Sequence, residues 1–182
     1  MKYIVILTFV VIILLNNSCE NASEKQVVFD STFVKSADSP DQIFKMFEVF
    51  FYDSSYKKAK LSANYAKMFF RSKRTLVDTN VYCEFYDKDG ISISSVLKSD
   101  SAIVEDDTKN MFAYGNVKVN SDSTKTKLTT QLLQWDNARQ LLLTDKFVRI
   151  ESPYEIIEGY GFESNLNLSN YKIFKVSGQI IK

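Results

Sequence analysis

None of the 182 residues of this chain is histidine. The residues that remain as candidates for catalysis or metal binding are pairs of acidic residues and two cysteines. The absence of imidazole excludes Ser-His-Asp and Cys-His nucleophiles, His-ligated metals and the usual acid–base group at neutral pH. Neither a GxGxxG nor a GxxxxGKS/T phosphate-binding loop occurs. The composition therefore predicts a protein that is not an enzyme and uses neither a cofactor nor a metal, and we name no catalytic residue.

Two acidic pairs, Asp87 with Asp89 and Asp106 with Asp107, have residue types that could support hydrolysis or calcium binding. Both pairs lie beside Gly, Lys or Asn in segments typical of turns, where acidic side chains cap the backbone. The segment around Asp87 lacks the other ligands of a calcium loop. We therefore interpret both pairs as turn residues. A histidine-free carboxylate hydrolase remains one alternative, and it requires two acidic residues to converge in one pocket.

Cys19 follows a segment typical of a bacterial export signal. Lys2 is followed by thirteen uncharged residues, Tyr3 to Leu15, and then by Asn16-Asn17-Ser18. As a helix those thirteen residues rise about 20 Å, which is short for a hydrocarbon core of about 30 Å. We predict that residues 1–18 are a signal peptide and that Cys19 becomes the lipidated first residue of the mature chain. A retained membrane anchor and an ordinary cleaved signal are the alternatives.

Cleavage before Cys19 leaves a neutral chain. The sequence has 23 Lys and Arg against 22 Asp and Glu, and removing Lys2 leaves 22 of each. A neutral chain argues against nucleic acid as a partner, since nucleic-acid binding normally needs a basic face. Lipidation of the Cys19 thiol also leaves Cys83 with the one free thiol of the mature chain, so no internal disulfide is expected. Cys83 alternates with Val81 and Phe85, which favours a buried apolar role over a reactive thiol.

The chain divides into a polar tether, residues 19–42, and a β-rich domain, residues 43–182. A composition that is 45% hydrophobic, 14% aromatic and 25% charged is typical of a globular domain. Alternating apolar and polar residues between turn signals predict nine strands. Phe44, Phe47 and Phe51 also have nearly helical spacing, so a short helix is the alternative there. The predicted strands cover residues 44–52, 57–67, 75–86, 91–105, 111–121, 126–135, 141–151, 156–163 and 171–181.

An internal repeat links these strands. In three copies a Leu is followed twenty residues later by a Val that opens an alternating strand, and a weaker fourth copy begins at Phe162. The Leu–Val pairs are Leu61 and Val81, Leu97 and Val117, and Leu128 and Val148. A recurring β-unit of about 34 residues indicates stacked strands that share one apolar interior. The five-residue step from Leu61 to Ala66 is odd in a period-two strand, so it predicts a bulge or a change of face.

These features predict an all-β fold, a twisted open β-jellyroll or slit barrel of repeated antiparallel strands. Its interior either packs as a solid core or parts into a groove for an apolar ligand. The pattern does not decide which strand face points inward. Candidate groove residues come from the repeat: Leu61, Val81, Phe85, Leu97, Phe112, Val117, Val119, Leu128, Trp135, Val148 and Ile150.

The last predicted strand lies at an open edge of such a sheet. An unpaired edge must be protected or used, and it suits β-augmentation by a partner. The apolar residues proposed to form this partner edge are Tyr171, Ile173, Phe174, Val176 and Ile180.

Several short motifs together resemble the LptC family, the membrane-anchored periplasmic component of the lipopolysaccharide export ABC transporter system, in its lipoprotein-like branch. They are Phe51-Tyr52-Asp53, Phe85-Tyr86-Asp87, Gly115-Asn116-Val117, the segment 128–136 and Gly159-Tyr160-Gly161-Phe162-Glu163-Ser164. The resemblance covers about residues 44–179. Each motif is weak alone, and their order and spacing carry the likeness.

The resemblance implies an OstA/LptA-like β-jellyroll with a hydrophobic groove, located at the periplasmic face of the inner membrane. Such a protein accepts lipopolysaccharide from inner-membrane ABC transporter subunits and passes it to a homologous soluble periplasmic β-jellyroll, without covalent chemistry. The groove shelters the acyl chains. The expected lipid anchor departs from the transmembrane helix of the best-known members. The alternative function is a structural or surface lipoprotein that binds a protein partner by strand-edge pairing, without lipid transfer.

Overall fold

The structure, a computed structural model, describes residues 39–182. The predicted signal peptide, Cys19 and most of the predicted tether lie outside the described residues, so these predictions stay open. Alternation of apolar and polar side chains produces strands throughout the described part. The strands are β1 (Gln42–Asp53), β2 (Tyr56–Phe69), β3 (Arg74–Tyr86), β4 (Ile93–Glu105), β5 (Met111–Ser121), β6 (Thr126–Asp136), β7 (Leu141–Glu151), β8 (Glu155–Asn165) and β9 (Tyr171–Ile181).

The nine described strands form one antiparallel sheet in sequence order, with β1 and β9 at its open edges. This confirms the predicted all-β fold, a twisted open jellyroll. The helical alternative at Phe44, Phe47 and Phe51 is wrong, because all three residues lie in β1. Met46 has a φ of 51°, and this local reversal changes which face the following residues present. The reversal explains the nearly helical spacing of the three rings.

A line of bulges crosses the middle of the sheet. Every pairing from β2–β3 to β8–β9 shifts register near the strand centres, for example between Ser62 and Tyr65 and between Lys98 and Ser101. Gly115, on this line, has a φ of 72° and lies so close to Asp100 that a Cβ would overlap its carboxylate. Because a bulge bends a strand and changes its alternation, this line is where the sheet folds.

The fold line divides each inner strand into two halves, which form two facing walls. Wall A contains the strand halves with Phe51, Leu61, Phe85, Leu97 and Leu128, whereas wall B contains the halves with Ala66, Val77, Met111, Trp135 and Leu142. Their side chains meet in a common apolar core.

Two rings show how far the sheet folds. Phe85 pairs with Ser95 in wall A, whereas Trp135 pairs with Met111 and Leu142 at the opposite ends of the strands. Their ring centroids are nevertheless only 5.0 Å apart. The strand ends of wall A and wall B therefore lie close together, and the sheet encloses a narrow interior. We call the gap between these two rows of strand ends the slit.

Candidate functional site

The interior collects ten of the eleven predicted groove residues. Nine of them line wall A, and Trp135 faces them from wall B. All ten are almost fully buried, which agrees with either a core or a closed groove. The nine in wall A are Leu61, Val81, Phe85, Leu97, Val117, Val119, Leu128, Val148 and Ile150.

Phe112 lies on the other face of the sheet. Its neighbours Met111 and Ala113 are buried in the interior, and alternation turns Phe112 outward, where it is half-buried. There it lines a cavity of about 340 Å³ together with Leu132 and Leu143. Contact between Phe112 and lipid stays a prediction, and it would occur on the outer surface.

The sequence repeat corresponds to the register of successive β-hairpins. Leu61 pairs with Cys83 across β2–β3, Leu97 pairs with Val119, and Leu128 pairs with Ile150. Each partner is the second residue after the repeated Val. Each repeat therefore places a Leu and two alternating residues of the next strand on the inner face of wall A.

The predicted groove residues include only one residue of the inner face of wall B, which is Trp135. Ala66, Ala102 and Leu133, each five residues after a repeated Leu, are buried there. The odd five-residue step is the signal for them, since the bulge line lies between each Leu and its follower. Met111 and Leu142, which flank Trp135, carry no comparable signal in the sequence.

Aromatic contacts close the slit between the walls near β1. Trp135 from wall B packs edge-on against Phe85 at 5.0 Å and against Phe51 at 6.3 Å, both from wall A. Each such pair contributes about 0.5–1.5 kcal/mol beyond its buried area. The slit is therefore held here by side-chain packing, since none of the described strand pairings joins these residues by a main-chain ladder.

Two hydrogen bonds close the slit farther along. The Thr124 hydroxyl, in the turn after β5, donates to the Asn167 carbonyl oxygen at 3.1 Å, in the turn after β8. The Tyr171 hydroxyl of β9 donates to Glu155 Oε1 at 3.2 Å. Burial, followed by the charge of Glu155, raises the pKa of Tyr171. The phenol therefore remains protonated and donates its hydrogen bond at neutral pH. Both hydrogen bonds can thus form across the slit at neutral pH.

The two edge strands expose apolar side chains. In β9, Phe174, Val176 and Ile180 are exposed, whereas Tyr171 and Ile173 pack partly against the core. In β1, Met46 is 89% exposed. The structure thus places all five predicted partner-edge residues on the outermost strand, and their binding to a partner stays a prediction.

The acidic pairs have turn contacts. Asp89 accepts hydrogen bonds from Ile91 N, Ser92 N and the Ser92 hydroxyl, and these bonds lower its pKa. Asp106 accepts from the Thr75 hydroxyl at 3.0 Å. The two pairs follow β3 and β4 and so lie at opposite ends of β4. Within residues 39–182, no group of three or more acidic, Cys or His side chains is arranged to hold a metal.

Cys83 lies in the interior beneath wall A and is fully buried. Burial raises the pKa of its thiol far above the ordinary range, and the adjacent Glu84 adds to the effect. A thiol in this environment stays protonated, so it packs as a small apolar side chain. The predicted apolar surroundings of Cys83 are therefore present in the structure.

The described strands form an open antiparallel sheet that folds at a line of bulges around an apolar interior and ends in two unpaired strands. These features define an open β-jellyroll. The chain belongs to the family described as "Lipopolysaccharide-assembly, LptC-related", which it matches over residues 3–180. Comparison with curated proteins finds no match.

Membership has direct functional consequences. The family works in lipopolysaccharide transport with the other components of that transport system, and it is not a known enzyme family. It is periplasmic and associated with the inner membrane. Across the described part of the chain, no helix has the length and hydrophobicity needed to span a bilayer.

Proposed function

We propose that this protein is a membrane-anchored periplasmic bridge. It accepts lipopolysaccharide from an inner-membrane ABC transporter into the interior between walls A and B and passes it to a homologous soluble β-jellyroll for outer-membrane assembly. Family membership supports the cargo, and the observation that carries the mechanism is the slit closed by side-chain contacts.

The energetics allow lipid to enter. Burying one CH₂ group is worth about 0.8 kcal/mol, so an acyl chain of several methylenes gains several kcal/mol on leaving water. The aromatic pairs and the Thr124–Asn167 hydrogen bond that close the slit contribute about 1 kcal/mol each, and the Tyr171–Glu155 bond, whose acceptor is a carboxylate, contributes about 1.5–3 kcal/mol. Lipid that separates the two walls replaces apolar packing with apolar packing, since twenty-two buried residues of the described part already form the apolar core.

The edge strands provide the routes for handover. We assign β1 to the transporter side and β9 to the next jellyroll, because both strands leave one row of backbone groups unpaired in the described sheet. Partner strands added at both edges would extend the folded sheet and make the neighbouring interiors continuous. A lipid on Cys19, the proposed anchor, would hold the domain at the membrane through the tether.

A photo-crosslinking experiment in cells tests this proposal. A photoreactive amino acid at Val117, which points inward, is compared with the same residue at the neighbouring Lys118, which points outward. Position Phe85 is a second inward site whose native ring better matches the size of the probe. Position Phe112 tests the outer face separately.

We expect lipopolysaccharide adducts at Val117 and Phe85 and none at Lys118. Absence of adducts at both inward positions, in protein that is folded and correctly located, would refute the transport role.

The second candidate is a structural lipoprotein that binds a protein through its strand edges. The observation in its favour is the filled interior, since Leu61, Phe85 and Leu128 are fully buried without lipid. The same experiment separates the two functions when an edge position, Val176, is added. Protein adducts at Val176 together with no lipid adduct at Val117 would support the structural lipoprotein.

A further inference from the structure

Two polar atoms in the interior have no hydrogen-bond partner. They are the indole Nε1 of Trp135 and the hydroxyl Oγ of Ser95, and both residues are 1% exposed. Among residues 39–182, these are the two buried side-chain polar atoms without a partner. Buried polar groups in proteins are normally paired, so two unsatisfied atoms inside an apolar interior need an explanation.

Both atoms belong to residues that flank one ring. Ser95 is the cross-strand neighbour of Phe85, so its side chain shares the inner face of wall A. Trp135 reaches the same ring from wall B, with a centroid distance of 5.0 Å. Ser95 and Trp135 are therefore both neighbours of Phe85, one in wall A and the other in wall B.

Neighbouring hydroxyls show that the lack of partners is specific. Ser121 and Thr126 are cross-strand partners on β5 and β6, at the same row of wall A strand ends as Ser95, which we call the lip of wall A. Both residues are also buried. The Ser121 hydroxyl contacts the Ser94 carbonyl oxygen and the Ser123 hydroxyl, and the Thr126 hydroxyl donates to the Thr124 carbonyl oxygen. Ser95 lacks such a contact although the fold supplies one to its neighbours.

The donor chemistry selects a ligand. The indole N–H only donates, and a serine hydroxyl donates or accepts. An aromatic face such as that of Phe85 is a much weaker acceptor than a carbonyl oxygen. In a lipid with acyl chains, the carbonyl oxygen of each ester or amide linkage lies between the apolar chain and the polar head. In the protein, the slit lies at the equivalent boundary, between the apolar interior and water.

We propose that Trp135 and Ser95 form a polar subsite that hydrogen-bonds the acyl ester or amide carbonyls of a lipid whose chains occupy the interior. This subsite rests on the proposed function and adds a recognition element to it. It selects acylated lipids over hydrocarbon chains of the same length, and it sets the depth to which the chains enter.

The test compares a short-chain diester phospholipid with its diether analogue, which has the same chains and no carbonyl groups. Binding is measured by isothermal titration calorimetry on the full chain carrying Cys19→Ser, so that no covalent lipid competes. The variants are Trp135→Phe, Ser95→Ala and the double variant. Ser121→Ala is the matched control, because its hydroxyl lies on the same lip and already has partners.

We expect the parent chain to prefer the diester by about fivefold or more, as one or two net hydrogen bonds allow. The preference should fall in each single variant, vanish in the double variant and persist in Ser121→Ala, while diether affinity changes by less than about twofold. The smaller Ser95→Ala change keeps the test informative if Trp135→Phe impairs folding. Equal binding of both lipids to the parent, or a preference that survives the double substitution, refutes the subsite alone. Binding of neither lipid refutes the proposed function and the subsite with it.

Discussion

Replacing Gly159 by Ala in β8 is expected to loosen β9, the strand assigned to partner binding. A Cβ at Gly159 would lie 2.3 Å from the Lys175 carbonyl oxygen and 2.7 Å from Ile173 Cγ2. Both neighbours belong to β9, and Gly159 pairs with Val176 at the bulge between the two strands. Since ordinary contacts begin at 3.4 Å, the two backbones must separate locally by about 1 Å.

The cost follows from that separation. Overpacking of this kind typically costs about 1–3 kcal/mol, and each ladder hydrogen bond that is lost removes about 0.5–1.5 kcal/mol. Replacing Gly by Ala inside a strand returns about 0.5–1 kcal/mol through lower chain entropy in the unfolded state. The net loss in the free energy of unfolding is about 2 kcal/mol. With a typical urea dependence, that loss lowers the urea midpoint by about 1 M.

Gly178→Ala is the matched control. Gly178 lies in β9 and pairs with the residue before Gly159, yet the atom nearest to a methyl group added there, Glu158 Oε2, is 3.8 Å away. We expect this variant to be neutral or slightly more stable. The single tryptophan, Trp135, lies in the core and reports unfolding by its fluorescence. Amide hydrogen exchange then shows whether the loss is confined to β9.

Equal urea midpoints for the two alanine variants would refute the reasoning, because the close approach at Gly159 would then carry no energetic weight. Faster exchange spread evenly over all nine strands in Gly159→Ala would also contradict it, since the clash involves only β8 and β9. A confined effect would connect one glycine to the integrity of the proposed partner edge.

Two further predictions concern titratable groups. In a Cys19→Ser chain, Cys83 should resist thiol reagents at neutral pH and react at the rate of unfolding, because burial keeps its pKa high; rapid labelling of the native chain would contradict this. Hydrogen bonds from the Arg139 backbone N–H and side chain lower the pKa of Asp136. That stabilisation is present above the ordinary carboxyl pKa of about 4 and is lost as pH falls through the lower folded pKa. Asp136→Asn should therefore flatten the acid side of a plot of urea midpoint against pH, and an unchanged slope would count against it.

The strands could be predicted because their inner faces repeat locally. Each repeated Leu lies on the same face of a hairpin as the alternating residues that follow its Val. Pairs such as Leu97 and Val119 therefore recur at a regular spacing in the sequence. The fold line also leaves a mark, in the odd step from Leu61 to Ala66. Near β1 the same kind of irregularity, at Met46, imitates helical spacing. Only the structure distinguishes a bent strand from a helical turn there.

Wall B and the slit contacts could not be predicted in the same way. Phe85 and Trp135 are far apart in sequence and belong to strands that do not pair with each other. Whether their rings meet depends on how sharply the sheet bends at its bulges, and no local pattern encodes that angle. Phe112 falls among the predicted groove residues for a related reason, because alternation gives two faces without saying which one is enclosed.

The weakness of the slit contacts is what suits the proposed bridge to its task. A groove closed by a main-chain ladder would need many hydrogen bonds to break before a lipid could enter. Besides the apolar packing between the walls, this slit is held by the ring contacts of Trp135, the Thr124–Asn167 bond and the Tyr171–Glu155 bond, together worth about 3–7 kcal/mol. Acyl chains gain a comparable free energy on leaving water, about 0.8 kcal/mol for each CH₂ group, and the walls can close again once the lipid has moved on. Because opening and closing are nearly balanced, the slit itself sets no direction. In the proposed bridge, the direction of transport comes from the supply of lipid at the β1 edge and its removal at the β9 edge.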